Sequence, residues 1–550
     1  MAQIAEKSDG VPLYVEEITK TVLESGQLTE TDHGYEIEPR FDRISIPSSL
    51  QDSLMARLDR MQPIKVVAQI AACIGREFTY SLISAVSQVD RAELDTALNQ
   101  LVSAQVFVLI GSEGNVSYVF RHALLRDAAY DSLLKARRVA IHQELFMLLQ
   151  AEPSTVPEIL AYHATQAGKQ EAAALHWEQA GDRAAKRTAL IEAIGFFERA
   201  RVCTAKLADG NPQRELDILV KLVRASTFRY GWSHPDTVSL IDEQLALLEK
   251  LGDAPRWFAI RSEKWAAHFI GAQNQKGLNE AMLMCDLADR RSDRRYQLSA
   301  YRHRAVSKAI LGQFAEASKD FDRAFTFLDP VKPDTPPADS IDPETGLRVY
   351  RALNLLWLGE GAKAWEMVDG IEEQARESGS IPTYATALTH VSWLHLDSQV
   401  PGGMPINDRS LANAEKYDLK LYYSTALLSR AVHLAIEKRY DESVKQMEPA
   451  LELANRMHNR LANASYWSWY AYCLAAIGKH DESDRAASKA IAVMSKRGEL
   501  WNESENLRLL AIRKYWYQNK KDNILDELQR ALDIAQNQGA RLFELSLIHI

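Results

Sequence analysis

Few residues in this sequence stand at spacings that do chemistry. A loop that cradles phosphates needs Gly-x-x-x-x-Gly-Lys-Ser/Thr, because its backbone N–H groups wrap the phosphate oxygens and its lysine meets their charge. Gly168-Lys169 and Gly478-Lys479 lack both the upstream glycine and the hydroxyl. The 14 histidines are scattered, and no His-Glu-x-x-His or comparable metal spacing occurs. The 4 cysteines, Cys73, Cys203, Cys285 and Cys473, are far apart in sequence. They read as small buried apolar residues in a reducing compartment, not as a metal knuckle or redox pair. No paired carboxylates stand in a catalytic setting. Lys135-Ala136-Arg137-Arg138 reads as a solvated helix face in preference to a phosphate site. The stripe Tyr466-Trp467-Ser468-Trp469-Tyr470-Ala471-Tyr472 reads as core between repeats, with an aromatic groove for a peptide or effector as the alternative. The expectation is a chain with no catalytic residue and no metal ligand of its own.

The elements that could position a site centre on Ile46 to Leu134. Leu50, Leu54, Leu58 and Met61 recur at helical spacing and predict a first helix. Pro63 starts a second, with Val66, Val67, Ile70 and Ile74 as its apolar set and Gly75 at its end. A short helix is expected around Tyr80 to Val86. Asp90 caps a fourth, with Glu93 as reciprocal cap partner and Leu94, Ala97, Leu98 and Leu101 inside. Two β-prone runs follow, Val106 to Ile110 and Val116 to Phe120, separated by Gly111-Ser112-Glu113-Gly114-Asn115, which is hairpin chemistry. Helices followed by a hairpin predict a winged helix. The helix that would enter a DNA groove, Arg91 to Ala104, sets Arg91 against Glu93 and Asp95. A DNA reader needs a basic face to neutralise phosphates, so packing within a switch protein is the expected role.

From about Val156 the pattern becomes helical hairpins. Gly168-Lys169-Gln170 precedes Ala173, Trp177 and Ala180. Leu311-Gly312-Gln313-Phe314 precedes Ala317, Phe321 and Ala324. Arg439-Tyr440 precedes Ser443, Met447 and Ala450. Gly478-Lys479-His480 precedes Ser483, Ala487 and Ala490. A small residue where two helices cross, then an apolar wedge into the next hairpin, is the tetratricopeptide arrangement. The turns at Tyr440, His480 and roughly Asp522 stand about 40 residues apart, against ~34 in the standard repeat. Asp329 to Pro343 and Val400-Pro401-Gly402-Gly403-Met404-Pro405 read as breaks in the array. The fold class is thus mainly α: a winged-helix domain followed by an α–α superhelix of tetratricopeptide-like repeats. At 550 residues with net charge -9 and pI ≈ 5.9, the chain is too long for one core and too acidic for general affinity toward nucleic acid or anionic membranes. No secretory signal is visible, and no run approaches the ~20 apolar residues that span a bilayer. A cytoplasmic protein is expected.

Three runs carry a resemblance: Ile46-Pro47-Ser48-Ser49-Leu50-Gln51-Asp52-Ser53-Leu54-Met55-Ala56-Arg57-Leu58-Asp59-Arg60, Gly75-Arg76-Glu77-Phe78, and Phe120-Arg121-His122-Ala123-Leu124-Leu125-Arg126-Asp127-Ala128-Ala129-Tyr130 on to Leu134. Together they resemble large bacterial signalling ATPases in which a class III adenylate/guanylate cyclase domain precedes an AAA-type ATPase, a winged helix and tetratricopeptide-like repeats. The resemblance implies that residues 1–45 end an ATPase lid, 46–150 form the winged helix, 151–328 are hairpin repeats, 329–345 a Pro-rich loop and 346–544 further repeats. Residues 545–550, Leu-Ser-Leu-Ile-His-Ile, look like an adapter-derived tail. The chain reads as a fragment that starts inside the lid, without cyclase or phosphate loop. In Gly10-Val11-Pro12, the resemblance sets Pro12 against an adenine; proline at a helix start is the alternative. Arg121-His122-Ala123 stands where related switch ATPases carry Met-His-Asp, whose histidine contacts the β-phosphate of ADP. The histidine matches and the aspartate does not; the alternative is a histidine satisfying local hydrogen bonds at a helix start.

The function implied is the regulatory portion of an ATP-dependent signalling protein. ATP or ADP would bind only in a full-length protein, and this chain would hold no cofactor. The partner expected on the repeat arm is a protein or small-molecule effector, with no direct nucleic-acid contact, no membrane, and a homo-oligomer left open. The arm of an ATP-dependent transcriptional regulator and a scaffold that binds no nucleotide are the rival readings.

Overall fold

Apolar residues at helical spacing dominate the sequence, and helices dominate the structure. It is a computed structural model describing residues 28–31, 34–37, 58–59, 61, 63–112, 115–207, 211–252, 254–328, 341–497, 499–519 and 523–548. The chain divides into two units, residues 1–183 with 196–211, and residues 184–195 with 212–550.

In the first unit, β1 (Leu28–Thr31) and β2 (Gly34–Ile37) pair antiparallel, Leu28 opposite Ile37. The expected first helix around Leu50 and Leu54 lies mostly outside the described residues; Leu58 is fully buried. In α1 (Lys65–Ile74), Val67 and Ile70 turn inward as the period requires, whereas Val66 is exposed. Then come β3 (Glu77–Thr79), α2 (Tyr80–Ser87) and α3 (Arg91–Ser103). Thr79 and Asp90 cap the two helices by accepting from Leu82 N and Ala92 N. Next are β4 (Phe107–Ser112) and β5 (Asn115–Phe120), and the sheet runs β3-β5-β4, all antiparallel. Two features depart from expectation. The β4–β5 pairing continues to Ser112 opposite Asn115, so the connection is tighter than the five residues suggested. A third strand, β3, joins the hairpin and packs Phe78 against Phe107 at 5.1 Å between ring centres, with Phe120 4.8 Å from Phe107. α4 (Ala123–Asp131) and α5 (Lys135–Gln150) add Leu125, Ala129, Ile141 and Leu145 to this core, and α6 (Pro157–Gln166) follows; α7 (Gln170–Lys186) and α8 (Leu190–Thr204) each contribute residues to both units.

The second unit is an array of antiparallel helix pairs. After α9 (Pro212–Tyr230) and α10 (Pro235–Leu251), inner helices α11 (Ala254–Ile270), α13 (Arg294–Ile310), α15 (Pro343–Trp357), α18 (Ile381–Ser398), α20 (Lys420–Ile436), α22 (Asn463–Ala476) and α24 (Glu503–Tyr517) alternate with outer ones. The outer helices are α12 (Asn274–Arg291), α14 (Phe314–Phe325), α16 (Gly361–Val368) with α17 (Ile371–Glu377), α19 (Met404–Lys416), α21 (Tyr440–Arg456), α23 (His480–Arg497) and α25 (Ile524–Gln538); α26 (Arg541–Ile548) follows. The fourth residue of each outer helix from α12 to α23 is small or compact and buried: Gly277, Ala317, Ala364, Asn407, Ser443 and Ser483. That position sits where two helices cross. Ser443 Oγ donates to the Ala431 carbonyl and Ser483 Oγ to the Ala471 carbonyl, both at 2.7 Å. The same contact recurs forty positions later, which is the tetratricopeptide-like logic of the sequence made physical. Val400 to Pro405 does not interrupt the array: it is the turn between α18 and α19, and Pro405 sits in the first turn of α19, where a missing N–H costs nothing. Of the Pro-rich stretch, residues 329–340 lie outside the description; Asp342 caps α15 and Pro343 starts it.

Candidate functional site

His122 follows the last hairpin strand directly. Phe120 N donates to Arg76 O at 2.9 Å and Arg121 N to Val106 O at 3.0 Å, which fixes where the strand ends. His122 is then extended (φ -129, ψ 137) and forms the N-cap of α4, but its ring makes no capping bond. Its Nε2 is buried and has no hydrogen-bond partner. Of the local hydrogen bonds a helix-start histidine could make, the Nε2 makes none. Pro12 lies outside the described residues, so the structure places only one of the two residues singled out by resemblance. One orphan nitrogen does not make a nucleotide site, and the described residues supply no phosphate cradle around it.

Lys135, Arg137 and Ala136 are exposed in the first turn of α5, while Arg138 folds back over the Tyr130 ring at 5.0 Å and lies 3.8 Å from Asp131. On α3, the exposed face carries Arg91, Glu93 and Asp95, of mixed sign. Among the described residues, no group of three or more His, Cys, Asp or Glu could hold a metal ion. No described helix is long and apolar enough to cross a membrane. All four cysteines are buried and free, and burial pushes the Cys73 thiol up to about 12.

Sequence spacing gave no hint of two clusters of ionisable residues. In the first unit, α5 and α6 bring His142 and His163 together, Nδ1 to Nδ1 at 2.9 Å, both buried. One Nδ1 donates and the other accepts, so at most one of the two rings can carry a charge. Tyr130 OH lies 3.1 Å from His142 Nε2. Burial lowers His142 to about 3, helped by His163 and Arg138, and burial lowers His163 to about 4. In the second unit, Trp357 Nε1 donates to Asp397 Oδ2 at 2.8 Å, and burial raises that carboxyl to about 7, with Glu505 adding to the rise. Glu505 is clasped by Arg508 and by Gln399 Nε2 at 2.6 Å. Burial also raises Glu263 to about 7. The signal that could have found them is long-range pairing, which a linear motif scan does not see.

The aromatic stripe is core. Tyr466, Tyr470 and Tyr472 are buried, and Trp467 and Trp469 pack against the same core. Inside the array, Phe269, Tyr350, Trp357, Trp393 and Trp501 surround an enclosed cavity of about 20 Å³, room for roughly one water.

The fold thus defines a mainly α protein whose second unit is an array of tetratricopeptide-like helical hairpins. No family model matches the chain. It is similar to an uncharacterized protein of Rhizobium meliloti (strain 1021), 22% identical over 562 residues that cover 97% of this chain and 52% of that protein. The chain therefore spans about half the length of the curated relative it matches. Among solved structures it is similar to a Signal Transduction ATPase with Numerous Domains protein with a tetratricopeptide repeat sensor from Pyrococcus horikoshii, at 12% identity, TM-score 0.41, and coverage of 98% of this chain and 71% of that one. A Rap protein complexed with Competence and Sporulation Factor gives 12% identity, TM-score 0.42, and coverage of 62% and 97%.

Proposed function

We propose that this chain is the sensor and coupling portion of a multidomain signalling ATPase. The helix–strand–helix–helix–hairpin unit acts as a winged helix that packs against a nucleotide-binding domain, and the repeat array receives an effector. The observation that carries the reading is His122: a buried ring nitrogen without a partner, on the first residue after the hairpin, where the resembling switch ATPases place the histidine that touches the β-phosphate of ADP. A polar ring nitrogen left unpaired in a buried setting costs free energy, of order 1–3 kcal/mol, so a partner from outside the described residues fits it. Pro12 is assigned the adenine-side contact of the same nucleotide. The output is assigned to a cyclase domain upstream, so that nucleotide state and effector binding together set cyclic nucleotide production.

The test is calorimetric titration of ADP and ATP into this chain and into the protein extended upstream through a phosphate loop. Binding only to the extended protein is expected, with ADP affinity weakened by His122→Ala by roughly tenfold, as for loss of one charge-assisted hydrogen bond. Unchanged ADP affinity in the His122 variant removes the role assigned to that residue. No nucleotide binding by the extended protein replaces the reading with a protein-interaction scaffold.

A further inference from the structure

Two distant turns of the second unit meet at a seam that carries a histidine on each side. The turn between α9 and α10 lies against the turn between α21 and α22, and Ser233 Oγ donates to His458 O across 225 positions. Beside this bond, Arg460 N donates to Ile270 O at 2.9 Å. The His234 and His458 rings meet edge to face, with 4.7 Å between centres and 81° between planes. Gly231 lets the turns come this close, since a Cβ there would stand 2.3 Å from Met457 O. Each turn is also fixed to its own side. Gly231 N donates to Thr227 O at 2.9 Å, and Asn459 Nδ2 to Thr425 Oγ1 of α20 at 3.0 Å. If the seam parts, it parts between the turns and not within them.

The charges around the two rings differ. His234 Nδ1 accepts from Asp236 N at 3.2 Å, and the Asp236 carboxylate is 3.7 Å away, so a proton on His234 is answered. The Tyr230 ring stacks on His234 at 4.9 Å, and Arg229 lies 5.5 Å from the centre of that ring. On His458 the charged groups that bear are His234 and Arg460, and both oppose a proton there. From α20 the turn receives only the hydroxyls of Ser424 and Thr425. The end of α11 adds His268, whose Nδ1 lies 3.2 Å from Gln273 Oε1. Burial lowers His268, Lys264 and Lys276 add to the fall, and Glu280 acts against it. Burial first, then His234 and Arg460, hold His458 below its ordinary 6.5. With the seam open, His458 takes its proton near 6.5; with it closed, only at lower pH. Between those values the open seam binds a proton that the closed one refuses, so falling pH favours opening. One refused proton changes the ratio of closed to open by up to about tenfold per pH unit.

We propose that this seam is an acid-released clasp: the array is closed while the His234–His458 pair carries at most one charge, and it opens when both rings are charged and repel each other beside Arg460. The first proton goes to His234, where Asp236 meets it. The second goes to His458, which faces only cations, and the two turns separate. The device belongs to the array alone and stands whether or not a nucleotide binds elsewhere.

The experiment measures the distance across the seam in the whole chain. Spin labels are attached at Ser239→Cys and Asn455→Cys, exposed positions on α10 and α21, while the four native cysteines are buried. Double electron–electron resonance is expected to give one short distance at pH 8 and a second, longer population at pH 5.5. His458 has a left-handed φ of 51°, which asparagine tolerates. His458→Asn therefore keeps the turn and cannot ionise, and is expected to give the short distance alone at both pH values. His458→Lys is charged at both, and is expected to show the longer population already at pH 8. Circular dichroism is recorded on each sample, with unchanged helix content expected. A distance that ignores pH, a pH response that survives in His458→Asn, or a closed seam in His458→Lys at pH 8 overturns the proposal. So does a loss of helix in step with the longer distance, which would make the event unfolding and not release.

Discussion

His142 and His163 share a proton in a buried contact, and that fixes the sign of a pH effect. Their ordinary value is 6.5, and in the fold they are lowered to about 3 and about 4. Between pH 6.5 and 4 the unfolded chain therefore binds protons that the folded chain refuses. Each refused proton costs about 1.4 kcal/mol per pH unit. The contribution of the pair is fully present above pH 6.5 and is lost on acidification. In the second unit, burial likewise lowers His390 and His433 to about 4, but Asp397 and Glu263, raised to about 7, work the other way and offset part of the loss. Hydrogen exchange corrected for intrinsic rate is expected to show α5 and α6 losing protection first as pH falls from 6.5 to 4.5. Earlier loss in α18 or α20 would contradict the assignment. Asp397 offers the mirror test. Its folded value stands above its ordinary 3.8, so its cost is absent at pH 4, grows as pH rises and levels off above 7. Asp397→Asn keeps an acceptor for Trp357 without the ionisation, and is expected to raise the urea midpoint at pH 8 and leave it unchanged at pH 4. Equal shifts at both pH values would show that ionisation is not the cause.

At the scale of elements, what could be read from the sequence was local and what could not was long-range. The run Ala317, Phe321, Ala324 announces a buried stripe because helical periodicity is written within a dozen residues, and all three are buried without exception. Asp90 announces a cap for the same reason. The strand β3 has three residues, and only its partner β5, some forty residues away, makes it a strand. The histidine pair and Asp397 were invisible because their partners come from other helices. His122 was legible as a position and not as an environment: its type and place are local, but its unpartnered nitrogen depends on the surrounding fold. The break between α16 and α17 was missed because the residue that enforces it, Arg348, lies on the preceding helix. Removing that enforcement is a test at this scale. Arg348→Ala deletes three hydrogen bonds to a charged group and uncaps the end of α16, and is expected to cost about 1.5–3 kcal/mol in urea unfolding. Arg348→Lys can replace one of the three and should recover only part. A cost below ~0.5 kcal/mol, the level of an ordinary surface change, would mean that the helix breaks there without Arg348.

The second unit is also more than a row of neighbours. In a repeat array whose members touch only the next one, stability is a sum of local terms and the ends fray independently. Here distant parts of the array are bonded directly. Arg460 N donates to Ile270 O at 2.9 Å, and Leu500 N and Trp501 N both donate to Ile310 O, at 3.0 and 3.1 Å. Ser233 Oγ donates to His458 O across 225 positions, the His234 and His458 rings stand 4.7 Å apart, and Trp357 packs on Trp501 at 4.9 Å. Such contacts close long loops, so they form only when the helices between them are in place, and they lend each other cooperativity. The array is therefore expected to unfold in one transition. Gly231 is the point at which to break this coupling. It takes a φ of 99°, and a Cβ there would lie 2.3 Å from the Met457 carbonyl oxygen, a backbone atom that cannot swing aside. Gly539 also has a positive φ, 67°, but has open space around its missing Cβ. Gly539→Ala should cost only the left-handed backbone term, about 1–2 kcal/mol, and keep a single transition. Gly231→Ala should cost more, about 2–4 kcal/mol, and release amide protection at residues 231–234 and 457–460 together. If the two substitutions destabilise alike and both keep one transition, the long-range contacts add nothing to cooperativity, and the array behaves as a sum of its repeats.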